Sequence, residues 1–278
     1  MLFIVLEKIL LDIRNKVTAI KKKYDSKNTY FEYYINTNHI PTVFIHGVGL
    51  NNKMWKAQKK ILSNYSLIFY DILNHGKSTK GIKELNFKKF CNQLNNLLKF
   101  IKVKKINLVG FSLGALIAQH YASVNYNRVN KLILIGSIYK RNKKQQNLVT
   151  NRYEQAFKGK SLTIDSIKRW FSYSFLKKNP QIFNFFFRML EKNKKKDFLP
   201  AYKVFIEADK YKICFKNFNM PTLIMTGEYD IGSTPKMSLN LKKKIKKSFL
   251  HIVKDAKHGA ITEKEKEINN KIKDFLYN

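Results

Sequence analysis

Ser112 sits between two glycines in Gly110-Phe111-Ser112-Leu113-Gly114, with the apolar run INLVG before it and the helical stretch ALIAQHYA after it. A G-x-S-x-G between a strand and a helix makes a turn so tight that only glycine fits on either side, and it lifts the serine hydroxyl above the sheet edge. The plainer alternative is a turn serine that caps the helix starting near Leu113. A serine hydroxyl is a poor nucleophile until a neighbouring base takes its proton, and the base needs a third group to fix its tautomer and stabilise its charge. After such a turn the acid and then the histidine follow along the chain. Of the six histidines, His39, His46 and His75 precede Ser112, and His120 lies eight residues on, about two helical turns below the edge. His251 falls inside the strand-like LHIV, whereas His258, in the loop KDAKHGA, stands where a mobile base is needed.

Asp230 follows the run TLIMTG in the loop GEYDIGSTP and precedes His258, which makes it the acid. Glu228 is its near competitor, and Asp255 shares the histidine's own loop, where it caps or solvates. The strand end after LILIG offers Gly136 and Ser137 and no carboxylate. A tetrahedral oxyanion needs two preorganised N–H donors. Leu113 N–H supplies one, and Val48, in His46-Gly47-Val48-Gly49 straight after TVFIH, supplies the other. His46 then holds its loop and moves no proton, and DILNHGKS (71 to 78) reads as a hydrogen-bonded loop lock.

These residues need strands and helices to place them. YFEYYI (30 to 35), TVFIH (42 to 46), LIFYD (67 to 71), INLVG (106 to 110), LILIG (132 to 136), TLIMTG (222 to 227) and LHIV (250 to 253) read as strands. Most are apolar throughout, as strands buried on both faces are. Met54 to Ser63, Phe87 to Ile101, Ala115 to Val124, Lys236 to Ile245 and Glu263 to Leu276 read as helices. The class is α/β: a mostly parallel sheet covered by helices on both faces. From 140 to 212 only helical patterns occur, too long for an ordinary connection, so this stretch is an all-helical cap between core segments 24–139 and 213–278. Such a cap roofs the carboxyl ends of the strands, where ligands bind. At the N-terminus Leu2, Leu6, Ile9, Leu10, Ile13, Val17 and Ile20 share one helical face, which predicts an amphipathic helix over 1–23 packed on the body. The lysines at 21 to 23 leave a membrane surface as its alternative.

The composition narrows the function. With 278 residues, 44% of them hydrophobic, the chain can close a substantial core. Cys91 and Cys214 are far apart, with no CxxC pair and no histidine pair at ligand spacing, so neither a disulfide framework nor a metal site is expected, and a reducing, cytoplasmic setting fits. The net charge of +35 suggests nucleic acid or an anionic membrane. Only six of the basic residues are Arg, however, and the lysines run from Lys8 to Lys273 without forming one arm, so residue usage explains the charge better than a dedicated nucleic-acid surface. No run approaches the roughly 18 to 20 apolar residues of a membrane span.

HGVGLNNKMW (46 to 55), DILNHGKS, GFSLG, GEYD (227 to 230) and KHG (257 to 259) together resemble the α/β-hydrolase family, from about Tyr30 to the C-terminus. The cap is similar to that of 3-oxoadipate enol-lactonase-like carboxylic ester hydrolases in Arg152 to Ala156, Arg169-Trp170-Phe171 and Ala201 to Phe205. Asn74 and Ala115 depart from the family pattern, and the first 23 residues have no counterpart in it. The resemblance implies cofactor-free hydrolysis of a small ester or lactone, with Ser112 attacking, His258 relaying the proton and Asp230 orienting it. Carbon–carbon bond hydrolases and perhydrolases with the same three residues, and a receptor-like binder with vestigial hydrolysis, stay open. Trp170 is the candidate pocket residue, and an aromatic roof implies a small cavity. Arg169 or Arg152 could grip a substrate carboxylate, although arginines on helices usually face solvent.

Overall fold

The apolar runs form one eight-stranded sheet, seen in a computed structural model that describes residues 18–20 and 23–278. In chain order the elements are β1 (Thr18–Ile20), β2 (Phe31–Ile35), β3 (Thr42–Ile45), α1 (Lys56–Ile61), β4 (Leu67–Tyr70), α2 (Phe87–Phe100), β5 (Ile106–Phe111), α3 (Leu113–Val124) and β6 (Val129–Ile135). The cap follows with α4 (Lys143–Phe157), α5 (Thr163–Trp170), α6 (Tyr173–Lys178), α7 (Pro180–Glu191) and α8 (Lys195–Ile206). The core resumes with β7 (Thr222–Gly227), α9 (Pro235–Lys242), β8 (Ser248–Val253), α10 (Ala260–Glu263) and α11 (Glu265–Tyr277).

The strand order is β1-β2-β4-β3-β5-β6-β7-β8. Contacts of β2 with β1 and β4 are antiparallel, and every other pairing is parallel. All six residues of β5 are buried, which is why it reads as an unbroken apolar run. β6 starts earlier than its LILI core suggests, because Lys131 snorkels to the carbonyls of Phe275 and Leu276 while Asn130 bonds Asn107. On one face α2 buries Phe87, Phe90, Leu94 and Leu97, spaced three or four apart, and its first turn is capped by Asn86 accepting from Lys89 N–H at 2.9 Å. The other face packs against Trp55, Ile268 and Ile272, and this cluster continues into the cap through Ile167, Trp170, Phe171 and Phe186.

The two ends of the helical insertion meet at Arg141, whose Nε donates to Asp209 at 2.7 Å and whose Nη2 donates to the carbonyls of Phe205 and Ile206. Most of the N-terminal helix expected over 1–23 lies outside the described residues. Where the backbone is described, Thr18–Ile20 departs from that expectation: it pairs antiparallel with β2, Thr18 opposite Ile35, and fills the backbone groups of the sheet edge.

Candidate active site

β5 delivers Ser112 on a strained turn. Its backbone stands at φ 55° and ψ −116°, a region that non-glycine residues occupy only when the surroundings compel it. The compulsion is steric: a Cβ on Gly110 would come within 2.3 Å of the Gly114 carbonyl, and one on Gly114 within 2.1 Å of the Ile45 carbonyl. Helix α3 therefore sits directly on the strand ends, and Ser112 is held by its N–H on the Ile135 carbonyl at 2.9 Å. The serine side chain makes no capping bond to α3, so the reading of it as a helix cap fails.

The loop after β8 brings His258 to the same edge. Its Nδ1–H donates to Asp230 Oδ2 at 2.6 Å, which leaves Nε2 as the basic nitrogen. Asp230 comes from the loop after β7, and its Oδ1 accepts from the N–H groups of Gly232 and Ser233, both at 2.9 Å. Burial alone would raise this carboxyl, but the His258 ring and the two N–H donors outweigh it and hold the group below the ordinary carboxylate range. Glu228 turns instead to the Asp255 N–H at 3.1 Å and shapes the histidine loop.

The remaining histidines have other duties. His46 Nε2 accepts from Ile72 N–H at 3.0 Å while its Nδ1–H donates to the Gly47 carbonyl, and burial pushes it down to about 4. Its 4.0 Å approach to Asp71 is thus no ion pair, since the neutral ring presents a lone pair on that side. His75, pushed to about 3 by burial and by its neighbour His46, accepts from Gly49 N–H at 2.8 Å. His120 stacks on Phe87, His39 packs on Tyr65, and His251 pairs with Glu267. The DILNHGKS loop is locked by Asp71, which accepts from Asn52 and Lys77 N–H groups.

Ser112, His258 and Asp230 line a cavity of about 60 Å³, closed on the core side by Gly47, Val48 and Phe111. Leu113 opens α3, so its N–H has no partner within its own helix. On the cap side Trp170 lines the cavity, 6.4 Å from the His258 ring between centroids, and also packs on Phe186 at 6.0 Å. Beyond Leu162, Ser166, Leu190 and Phe198 a groove of about 220 Å³ opens within the cap. Among the described residues no group of three or more His, Cys, Asp or Glu is placed to hold a metal ion, and no helix is long and apolar enough to cross a membrane.

Residues 40–265 match the family model for the alpha/beta hydrolase fold. The chain belongs to that family. It is 25% identical over 255 residues to an (E)-2-((N-methylformamido)methylene)succinate hydrolase of Acinetobacter baylyi, covering 90% of this chain and 95% of the relative. A pimeloyl-[acyl-carrier protein] methyl ester esterase of Wigglesworthia glossinidia brevipalpis is 30% identical over 220 residues, 73% of this chain and 79% of its own. Among solved structures, the enol-lactonase from Burkholderia xenovorans superposes with a TM-score of 0.80 at 18% identity, over 90% of this chain and 96% of that one. The fold is one that supports an ester-acting hydrolase.

In this alpha/beta hydrolase the two cap arginines part company. Arg169 lines the cavity, and although the residue as a whole is only half-buried, its Nε is sealed from solvent with no hydrogen-bond partner. Burial and the like charge of Arg152 pull its pKa down, and Tyr202 and Asp230 partly offset them. Arg152 does not line the cavity: its Nη2 donates to Ser166 Oγ at 3.2 Å, one layer behind the wall. The structure thus places Arg152 on α4 behind Ser166, and its Nε, like that of Arg169, is buried without a partner. Sequence reasoning passed over Leu162, Ser166, Leu190 and Phe198 as pocket residues. Leu190 and Phe198 lie on helices whose apolar positions read only as cap packing, Leu162 just precedes α5, and Ser166 is one polar residue on its face.

Proposed function

We propose that the protein is a cofactor-free serine hydrolase that cleaves a small carboxylic ester or lactone through an acyl-enzyme. The observation that carries this is the 2.6 Å bond from His258 to a buried, fully partnered Asp230, at the edge where strain presents Ser112. Nε2 of His258 takes the serine proton as Oγ bonds to the carbonyl carbon, and the carbonyl π electrons move onto oxygen. The N–H groups of Val48 and Leu113 receive that oxyanion. As the intermediate collapses, the bond to the alkoxy oxygen breaks and His258 returns its proton to the leaving alcohol. Water then attacks the acyl-serine, with His258 removing its proton and restoring Ser112 in the second collapse. Asp230 remains a carboxylate throughout and holds the imidazole in the working tautomer.

The cavity limits the substrate. The part beside Ser112, about 60 Å³, suits a short acyl or lactone unit. Arg169 places a cation in the wall, where burial and the like charge of Arg152 disfavour it and an anionic group of the substrate would offset both. The reading is therefore of an acid part that carries a second carboxylate, with Arg169 as its counter-ion. The succinate in one relative's name supports the same chemistry.

A fluorophosphonate label followed by peptide mapping should mark Ser112, and turnover across p-nitrophenyl esters should peak at short acyl chains. Turnover should be unchanged in EDTA. Absence of labelling, or an optimum at ten carbons or beyond, would reject the reading.

A further inference from the structure

We infer that Asn193, just past the end of cap helix α7, is a positioning residue for the oxyanion loop, so that the seating of the cap on the core sets the turnover rate. The inference rests on the serine-hydrolase reading above and concerns a residue outside the cavity wall that carries Ser112.

Gly49 is gripped from two sides. Its N–H donates to His75 Nε2 at 2.8 Å from the core, and its carbonyl accepts from Asn193 Nδ2 at 2.8 Å from the cap. His75 is a reliable acceptor, since its pKa of about 3 keeps it neutral and its own Nδ1–H is fixed on the Leu73 carbonyl at 2.9 Å. The Asn193 amide is anchored in turn. It donates to the Leu190 carbonyl at 2.9 Å, which also accepts the Asn193 backbone N–H at 3.1 Å, and reaches the Met189 carbonyl at 3.3 Å. One rigid amide thus joins the end of α7 to the loop.

The loop is built to receive it. Gly49 has φ +77°, a conformation that favours glycine, and a Cβ there would lie 2.9 Å from Leu190 Cδ2, which would have to shift. Val48, whose N–H is the proposed oxyanion donor, immediately precedes Gly49, and a Cβ added at Gly47 would stand 3.2 Å from Ser112 Cβ, so this loop runs close beside the serine. The Gly49 carbonyl shares its peptide plane with Leu50 N–H, which donates to the Gly47 carbonyl at 3.2 Å, and the Gly47 carbonyl shares its plane with Val48 N–H, so releasing Asn193 loosens the plane that aims the Val48 donor. An oxyanion donor works only if it is already aimed when charge develops, so a small tilt costs rate while leaving ground-state binding alone. A mere helix cap would predict lost stability instead.

The experiment uses the full chain with Asn193→Ala and Asn193→Asp. The aspartate keeps the shape and removes the donor, setting a carboxylate against three carbonyls. Active sites are titrated with fluorophosphonate, so that kcat is expressed per competent serine. Both variants should lose about 10-fold in kcat on p-nitrophenyl acetate, as expected of a misaligned donor, with KM within about twofold. Affinity for a trifluoromethyl ketone should fall in parallel, and amide exchange in a peptide covering residues 46–55 should quicken. Variants with lowered Tm but unchanged kcat per site, ketone affinity and exchange would overturn the role of Asn193 alone. A wild-type protein that neither reacts with fluorophosphonate nor turns over esters would overturn the hydrolase reading, and the rate role with it.

Discussion

The two walls of the cavity carry opposite kinds of buried charge. On the core side Asp230 is satisfied completely, with two N–H donors on one oxygen and the His258 ring on the other. On the cap side Arg169 has an Nε with no partner and a second arginine as its neighbour. On the proposed reading, the fully partnered Asp230 serves the proton relay and the poorly partnered Arg169 receives the carboxylate of the substrate. The core wall is also held by backbone geometry, whereas the cap wall is made of side chains projected from helices.

The largest effect expected from breaking this contrast lies at the core wall. Ser112→Ala should lower kcat on the order of 10⁶-fold with the fold unchanged by circular dichroism, leaving only residual oxyanion stabilisation; a tenth of wild-type activity would defeat the mechanism. Asp230→Asn should cost about 10⁴-fold in kcat, because the amide can turn the imidazole into the wrong tautomer, and a loss under tenfold would show that His258 is oriented by something else.

At the cap wall, Arg169→Met should leave hydrolysis of a neutral ester intact and lower kcat/KM for a half-ester bearing a free carboxylate about 100-fold. Its Tm should hold or rise, since a poorly partnered buried cation is replaced by an apolar chain of similar length. Equal losses on neutral and charged esters would return Arg169 to a packing role.

Acid should act on the core more than on the cap. His46 and His75 are held down at about 4 and about 3, so between the ordinary histidine value of 6.5 and those values the unfolded chain binds more protons than the folded one. Their contribution to stability is complete above about pH 6.5 and is lost progressively below it. Calorimetry should show Tm falling by several degrees over this window, and His75→Gln, which keeps an acceptor for Gly49 N–H, should flatten the slope. The smallest change is expected from Trp170→Ala, a shift of a few carbons in the acyl-chain optimum; an unmoved optimum would mean that the indole serves only its packing on Phe186.

Legibility followed the same division. Parallel strands buried on both faces are mostly apolar, so TLIMTG was readable to the residue as β7. The N-terminal segment misled at Thr18–Ile20, because apolar spacing in a short stretch suits a helix face and an edge strand alike, and the pairing with β2 is a long-range fact. That Ser112, Asp230 and His258 meet at one sheet edge was legible because each follows a strand in a segment marked by turn residues. Asn193 and Ser166 carry no such mark, since one polar residue at a helix end or on a helix face has many ordinary uses.

By itself the sequence determined the sheet core, the helical insertion and the residues at the strand ends, because burial patterns and tight turns are local demands that only certain residue types meet. It was the tertiary structure that decided which cap arginine faces the cavity, that His75 and Asn193 grip one glycine from opposite sides, and that the cavity is small. Those outcomes depend on how five cap helices settle against a sheet edge far from them in the chain, and a rotation of one helix by a single residue would exchange the wall for the surface.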